Sequence, residues 1–142
     1  MGTTTTFRNG KVLIVDDEAM ICQILGEVLS DEFSTLALTS AHAAWERIAG
    51  GERFDVILSD LTMPEMSGID LYGAIARVAP EQAERIVFLT GGNLNERCSK
   101  FLASIANPVL QKPFGWTALL ELVGQVARRS IAGEGGRRPA PD

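Results

Sequence analysis

The chain has 142 residues, 46% hydrophobic and 22% charged, with a formal net charge of -5. That length suits one domain with its own core, and the acidic balance argues against a nucleic-acid surface, which needs a clustered basic face. No apolar run approaches the roughly 20 residues that cross a bilayer. The N-terminus lacks the basic-then-apolar build of a signal peptide, so a cytoplasmic protein without membrane contact is expected. Cys22 and Cys98 fall in separate helical patterns and read as buried thiols rather than a disulfide or metal pair.

Residues 1–9 are polar and Thr-rich and read as a disordered leader. Lys11-Val12-Leu13-Ile14-Val15 is a short apolar run, as in a strand covered on both faces, and it ends on Asp16-Asp17-Glu18. Ile21, Ile24, Leu25, Val28 and Leu29 then recur at helical spacing. Phe33 to Leu38 predicts a weaker second strand nearer an edge. Ser40 is the candidate N-cap of a helix over Ala41 to Ala49, stopped by Gly50-Gly51. Phe54 to Asp60 predicts the third strand, buried and ending on a single carboxylate.

After Pro64, Ser67-Gly68 opens a helix through Ile69, Leu71, Tyr72, Ile75 and Val78, closed before Pro80. Arg85 to Thr90 predicts the fourth strand, with Gly91-Gly92 as its turn. Leu94, Cys98, Phe101, Leu102 and Ile105 line a fourth helix, ended by Asn107-Pro108. Val109-Leu110-Gln111 is a brief fifth strand before Lys112-Pro113. Trp116, Leu119, Leu120, Val123 and Ala127 mark the last helix. The domain is thus expected over 10–128, with a disordered tail over 129–142.

Five strands alternating with five helices imply an α/β fold, a doubly wound (βα)5 three-layer sandwich with a parallel sheet in the flavodoxin-like order 2-1-3-4-5. The strand ends then share one rim. Asp16, Asp17, Asp60, Thr90 and Lys112 converge there, although the chain scatters them. Three close carboxylates repel one another and call for a compensating cation or raised pKa values. Oxygen ligands without His or Cys point to Mg²⁺ and a phosphate partner. Thr90 can donate to a phosphoryl oxygen, and Lys112 adds a compact positive charge. Carboxylates serve as phosphoryl-accepting nucleophiles, so the chemistry suggested is an aspartyl phosphate on Asp60.

Each feature alone has a plain structural explanation. Asp16 or Asp17 could cap the first helix, Thr90 could belong to the turn, and Lys112 could be a surface lysine. Together they require four coincidences on one rim. Val15-Asp16-Asp17-Glu18, Ser59-Asp60-Leu61-Thr62-Met63-Pro64-Glu65-Met66-Ser67-Gly68, Leu89-Thr90-Gly91-Gly92 and Leu110-Gln111-Lys112-Pro113-Phe114, in that order, resemble the receiver domain of two-component response regulators. The resemblance implies phosphorylation of Asp60 by the phosphohistidine of a sensor histidine kinase or histidine phosphotransfer domain. It also implies Mg²⁺ held by Asp17, Asp60 and the Thr62 backbone carbonyl, with Asp16 acting mainly through water. Thr90 and Lys112 would contact the phosphoryl group, and the Lys112-Pro113 bond would be cis.

One position departs from that pattern. Where many receivers carry a Tyr or Phe three residues before the lysine, this chain has Val109. The Asn107 to Phe114 stretch is similar to receivers of hybrid histidine kinases, which pass phosphate onward. The resemblance therefore implies a phosphorelay module that assists its own phosphorylation and dephosphorylation, with kinase specificity around Ala19, Met20 and Gln23. A homodimer through the fourth and fifth helices is left open. The alternatives are a degenerate receiver used as a protein-binding scaffold and an aspartyl-nucleophile phosphatase. The latter needs Asp-x-Asp where the chain has adjacent Asp16-Asp17. A flavin module fails for want of a phosphate loop and ring-stacking aromatics.

Overall fold

The computed structural model describes residues 10–92 and 94–135. Its elements are β1 (Lys11–Val15), α1 (Ala19–Leu29), β2 (Ser34–Leu38), α2 (Ala41–Ala49), β3 (Val56–Asp60), α3 (Gly68–Val78), α4 (Pro80–Ala83), β4 (Ile86–Thr90), α5 (Glu96–Ala103), β5 (Val109–Gln111) and α6 (Trp116–Gly135). All strand pairs are parallel, and the sheet order is β2-β1-β3-β4-β5. That is the flavodoxin-like order expected of right-handed crossovers from a central first strand.

Alternation along the strands divides the core into two layers. Leu13, Val15, Ile57 and Phe88 face Ala44 and Ile48 of α2, Leu71 and Ile75 of α3 and Cys98 of α5. Val12, Ile14, Val56, Leu58, Val87 and Leu89 face Leu25 and Leu29 of α1 and Leu119 and Val123 of α6. β3 and β4 are buried along their whole length, whereas β2 and β5, each paired on one side, are half-buried or exposed. Both cysteines are buried free thiols.

Local chemistry sets the element boundaries. Ser40 caps α2 by accepting from the Ala43 N–H. Ser67 and Asp70 form a capping box at the start of α3. Gly68 is needed there because a Cβ would stand 2.5 Å from the Asp60 carbonyl oxygen and 2.9 Å from the Leu61 Cα. Its N–H donates to the Leu61 C=O at 2.9 Å, so the loop after β3 returns to the strand it left.

Three expectations about the elements need correction. Where five helices are expected the described residues form six: α3 closes before Pro80 as expected, and Pro80 then opens the additional short α4, a place where its missing N–H costs nothing. The third strand starts at Val56 rather than Phe54. The backbone N–H and C=O of Phe54 are both taken by the buried Gln82 carboxamide, at 2.9 and 3.0 Å, instead of by a neighbouring strand. Residues 129–135, expected in the disordered tail, continue α6, since Arg128-Arg129-Ser130-Ile131-Ala132 holds no helix breaker. The leader over 1–9 and the tail over 136–142 lie outside the described residues.

Candidate functional site

The rim at the C-terminal ends of the strands is assembled by the sheet itself. Past the end of β1, the Asp16 N–H still pairs with the Leu38 C=O at 3.2 Å, which fixes its backbone. Asp16 Oδ1 accepts from the Glu18 N–H at 2.9 Å and turns the chain into α1. The Asp16 carbonyl takes the Cys22 thiol at 3.3 Å. The residue is completely buried, and its second oxygen, Oδ2, has no hydrogen-bond partner. A buried acceptor left in that state costs about 1–3 kcal/mol, more when charged.

β3 delivers Asp60 to the same place. Ser59, buried one residue earlier, donates its hydroxyl to the Asp60 C=O at 3.0 Å. The Leu61 N–H continues the ladder to the Leu89 C=O. Carboxylate oxygens of Asp16, Asp17 and Asp60 all lie within 4.8 Å of one another, with Asp17 exposed and the other two buried. Burial pushes the Asp60 carboxyl pKa up, and the Asp16 charge adds to this; Lys112 and the Thr62 N–H, which donates to Asp60, pull the other way.

The cation arrives from β5. The Lys112 N–H donates to the Thr90 C=O at 2.7 Å, the Lys112-Pro113 peptide is cis, and Nζ stands 3.5 Å from Asp16 Oδ2 and 3.7 Å from Asp60 Oδ2. These are ion-pair distances, too long to satisfy Asp16 Oδ2 as a hydrogen bond. β4 contributes Thr90, 5% exposed, whose Oγ1 accepts from the Gly92 N–H at 3.2 Å. One ammonium thus pairs with two of the three clustered carboxylates. The oxygen-only donor set and the buried partnerless Asp16 Oδ2 fit a hard divalent cation such as Mg²⁺.

The rim therefore brings together Asp16, Asp17, Asp60, Thr90 and Lys112. Thr62 is exposed beside them with its N–H on Asp60. His42 is exposed, and Trp45, Met63 and Met66 pack against the core. Sequence reasoning passed over Ser59, although a hydroxyl inside an otherwise apolar buried strand was a usable signal. It also passed over Glu65, which holds a left-handed φ of 67°. Two grooves of about 300 Å³ flank the rim. One runs from Asp17 between Ser40 and Glu65, and the other, apolar, lies between Ile21 and Ile24 of α1 and Lys112, Phe114 and Trp116.

Comparisons with known proteins agree with this picture. Residues 12–124 match the family model for the response regulator receiver domain. The DNA-binding transcriptional regulator NtrC of Rhizobium meliloti is 30% identical over 130 residues, covering 91% of this chain and 25% of that protein. The response regulator FleR of Pseudomonas aeruginosa is 32% identical over 126 residues, covering 87% and 26%. The chain thus spans about a quarter of the length of these relatives. Among solved structures, the chemotaxis protein CheY4 of Vibrio cholerae superposes with a TM-score of 0.69 at 32% identity, covering 82% of this chain and 97% of that one. The receiver domain of a sensor histidine kinase from Pseudomonas aeruginosa, solved with magnesium in its active-site cleft, superposes with a TM-score of 0.72 at 23% identity, covering 84% and 98%. The family-model match over residues 12–124, carried on a single parallel sheet with an acidic rim, establishes that the chain belongs to the response regulator receiver domain family.

Proposed function

We propose that this chain is the phosphoacceptor of a two-component phosphorelay, taking a phosphoryl group onto Asp60 from the phosphohistidine of a histidine kinase or histidine phosphotransfer domain. The observation that carries this reading is the unpartnered, buried Asp16 Oδ2, grouped with Asp17 and Asp60 and facing Lys112. Asp16, Asp17 and Asp60, with the Thr62 carbonyl, would hold Mg²⁺. When bound, that ion supplies positive charge to neutralise the transferring phosphoryl oxygens.

The chain's own groups do the rest. An Asp60 carboxylate oxygen forms the new O–P bond as the P–N bond to the donor imidazole breaks, its electron pair remaining on the imidazole nitrogen. Lys112 Nζ, already 3.7 Å from Asp60, follows the charge onto the acyl phosphate. Thr90 donates its hydroxyl to a phosphoryl oxygen while accepting from Gly92. The apolar groove beside Lys112, rimmed by Trp116 at 48% exposure, with Met20 at 71% on the same helix α1, supports docking of the donor protein there. Val109, 39% exposed and ringless, supports onward transfer over a switched output surface.

Acetyl phosphate with Mg²⁺ should add one phosphoryl group to the wild type by intact mass, released by hydroxylamine and absent from Asp60→Asn. A modification that survives Asp60→Asn overturns the reading. Beryllofluoride-induced shifts confined to the rim would support relay, and large shifts along α5 and β5 would count against it.

A further inference from the structure

We propose that Gln111 is a positioning residue for the Thr90 hydroxyl, acting through Gly92; this rests on the phosphoacceptor reading of the rim. In the β4–β5 pairing Thr90 lies level with Gln111, and the next residue, Lys112, is tied to the Thr90 carbonyl. The end of β5 therefore serves the rim twice: Lys112 meets the acids, and Gln111 lies over the turn that follows Thr90. Its carboxamide nitrogen occupies the space a Cβ on Gly92 would need, and its carboxamide carbon is 3.4 Å from the same point.

Gly92 holds φ +95°, a left-handed conformation that glycine adopts without strain. The N–H it presents in that conformation is the one donated to Thr90 Oγ1. An Oγ1 that accepts from a fixed N–H keeps its proton available for a phosphoryl oxygen and loses the rotamers that would aim it elsewhere. Gln111 packs against the face of Gly92 that would otherwise be free to turn, so the hydroxyl is held by a side chain that touches neither acid nor phosphate. Val109, the other outward residue of β5, has neither a ring nor a polar group for this role.

The test compares phosphorylation rate against acetyl phosphate concentration for wild type, Gln111→Ala and Gln111→Met, with Mg²⁺ affinity and thermal midpoint measured alongside. Gln111→Ala should lower the saturating rate roughly 10-fold, a small misplacement of a catalytic group, and shift the Gly92 amide resonance. Mg²⁺ affinity and the midpoint should stay at wild-type values, because Gln111 is exposed and an amide is no competitor for the carboxylate ligands. Gln111→Met, with similar reach, should restore most of the rate. Gly92→Ala should cost more in the wild type than in Gln111→Ala, where the collision has been removed. A Gln111→Ala rate equal to wild type, a Met variant that does not rescue, or strictly additive Gly92 and Gln111 effects overturns the proposal while leaving the phosphoacceptor reading intact. A wild type that takes no phosphoryl group overturns both.

Discussion

The two ends of the sheet carry similar residues in opposite states. At the N-terminal ends of the strands, polar groups are matched. Asp55 accepts from the Lys11 N–H at 2.9 Å, and Glu52 is held by Lys11 and Arg47, both at 3.0 Å. Gln82 satisfies both backbone groups of Phe54. At the C-terminal ends, three carboxylates cluster and two of them share one lysine. Among the described residues only two buried side-chain polar atoms lack a hydrogen-bond partner, Asp16 Oδ2 there and the Trp45 indole N–H on α2. Asp55 and Asp60 lie five positions apart on one segment, one tied into structure and the other pushed toward its neutral form. A group that folding leaves unsatisfied is the one available to a ligand.

If that contrast is right, mutations at the two ends should separate stability from chemistry. The largest stability effect belongs to Gln82→Ala. It leaves a buried N–H and C=O on Phe54 without partners, so unfolding free energy should fall by about 3 kcal/mol, measured by urea denaturation. The folded fraction should still take a phosphoryl group from acetyl phosphate at the wild-type rate. Loss of both together would mean that the two ends are not independent.

Asp16→Asn should do the reverse. The amide keeps an oxygen for the Glu18 N–H and removes a crowded charge, so the metal-free protein should gain about 1 kcal/mol. Mg²⁺ affinity and phosphorylation should drop on the order of 10-fold or more, as for a residue that orients a metal site through water. A variant that loses stability and keeps its Mg²⁺ affinity would make Asp16 a structural acid like Asp55.

Much of this rim could be read from the chain because parallel strands deliver their last residues to one edge. The apolar runs ending at Val15, Asp60 and Thr90 located that edge, and Asp16, Asp60, Thr90 and Lys112 could be placed on it without coordinates. What escaped were roles that depend on side-chain reach. Gln82 lies two residues past Pro80 and has no periodic partner, so nothing marked it as the surrogate pairing group for Phe54. Gln111 read as a strand residue because its meeting with Gly92 depends on the β4–β5 register. The helix through 129–135 is hard to read from the chain because Gly133 and Gly135 fall within it and Gly136, Pro139 and Pro141 follow, a composition that suggests a tail.

The smallest effect concerns pH, where an exposed acid and a buried one differ in sign. Asp70 accepts from the Ser67 N–H and hydroxyl and, less strongly, faces Arg97; these donors hold its pKa below the usual carboxylate value. Its ionised form favours the folded state, so its contribution is present above the unfolded carboxylate pKa of about 4 and is lost as pH falls through the lower folded value. Asp60, raised by burial, contributes in the other direction: metal-free stability declines as pH rises through its folded pKa. Asp70→Asn should flatten part of the acid limb in a series of urea melts while leaving the slope above it unchanged. High salt should weaken the Arg97 share, because that pair is exposed. An acid limb identical to wild type would mean that Ser67, accepting from the Asp70 N–H at 3.1 Å, carries the α3 cap without help from the carboxylate.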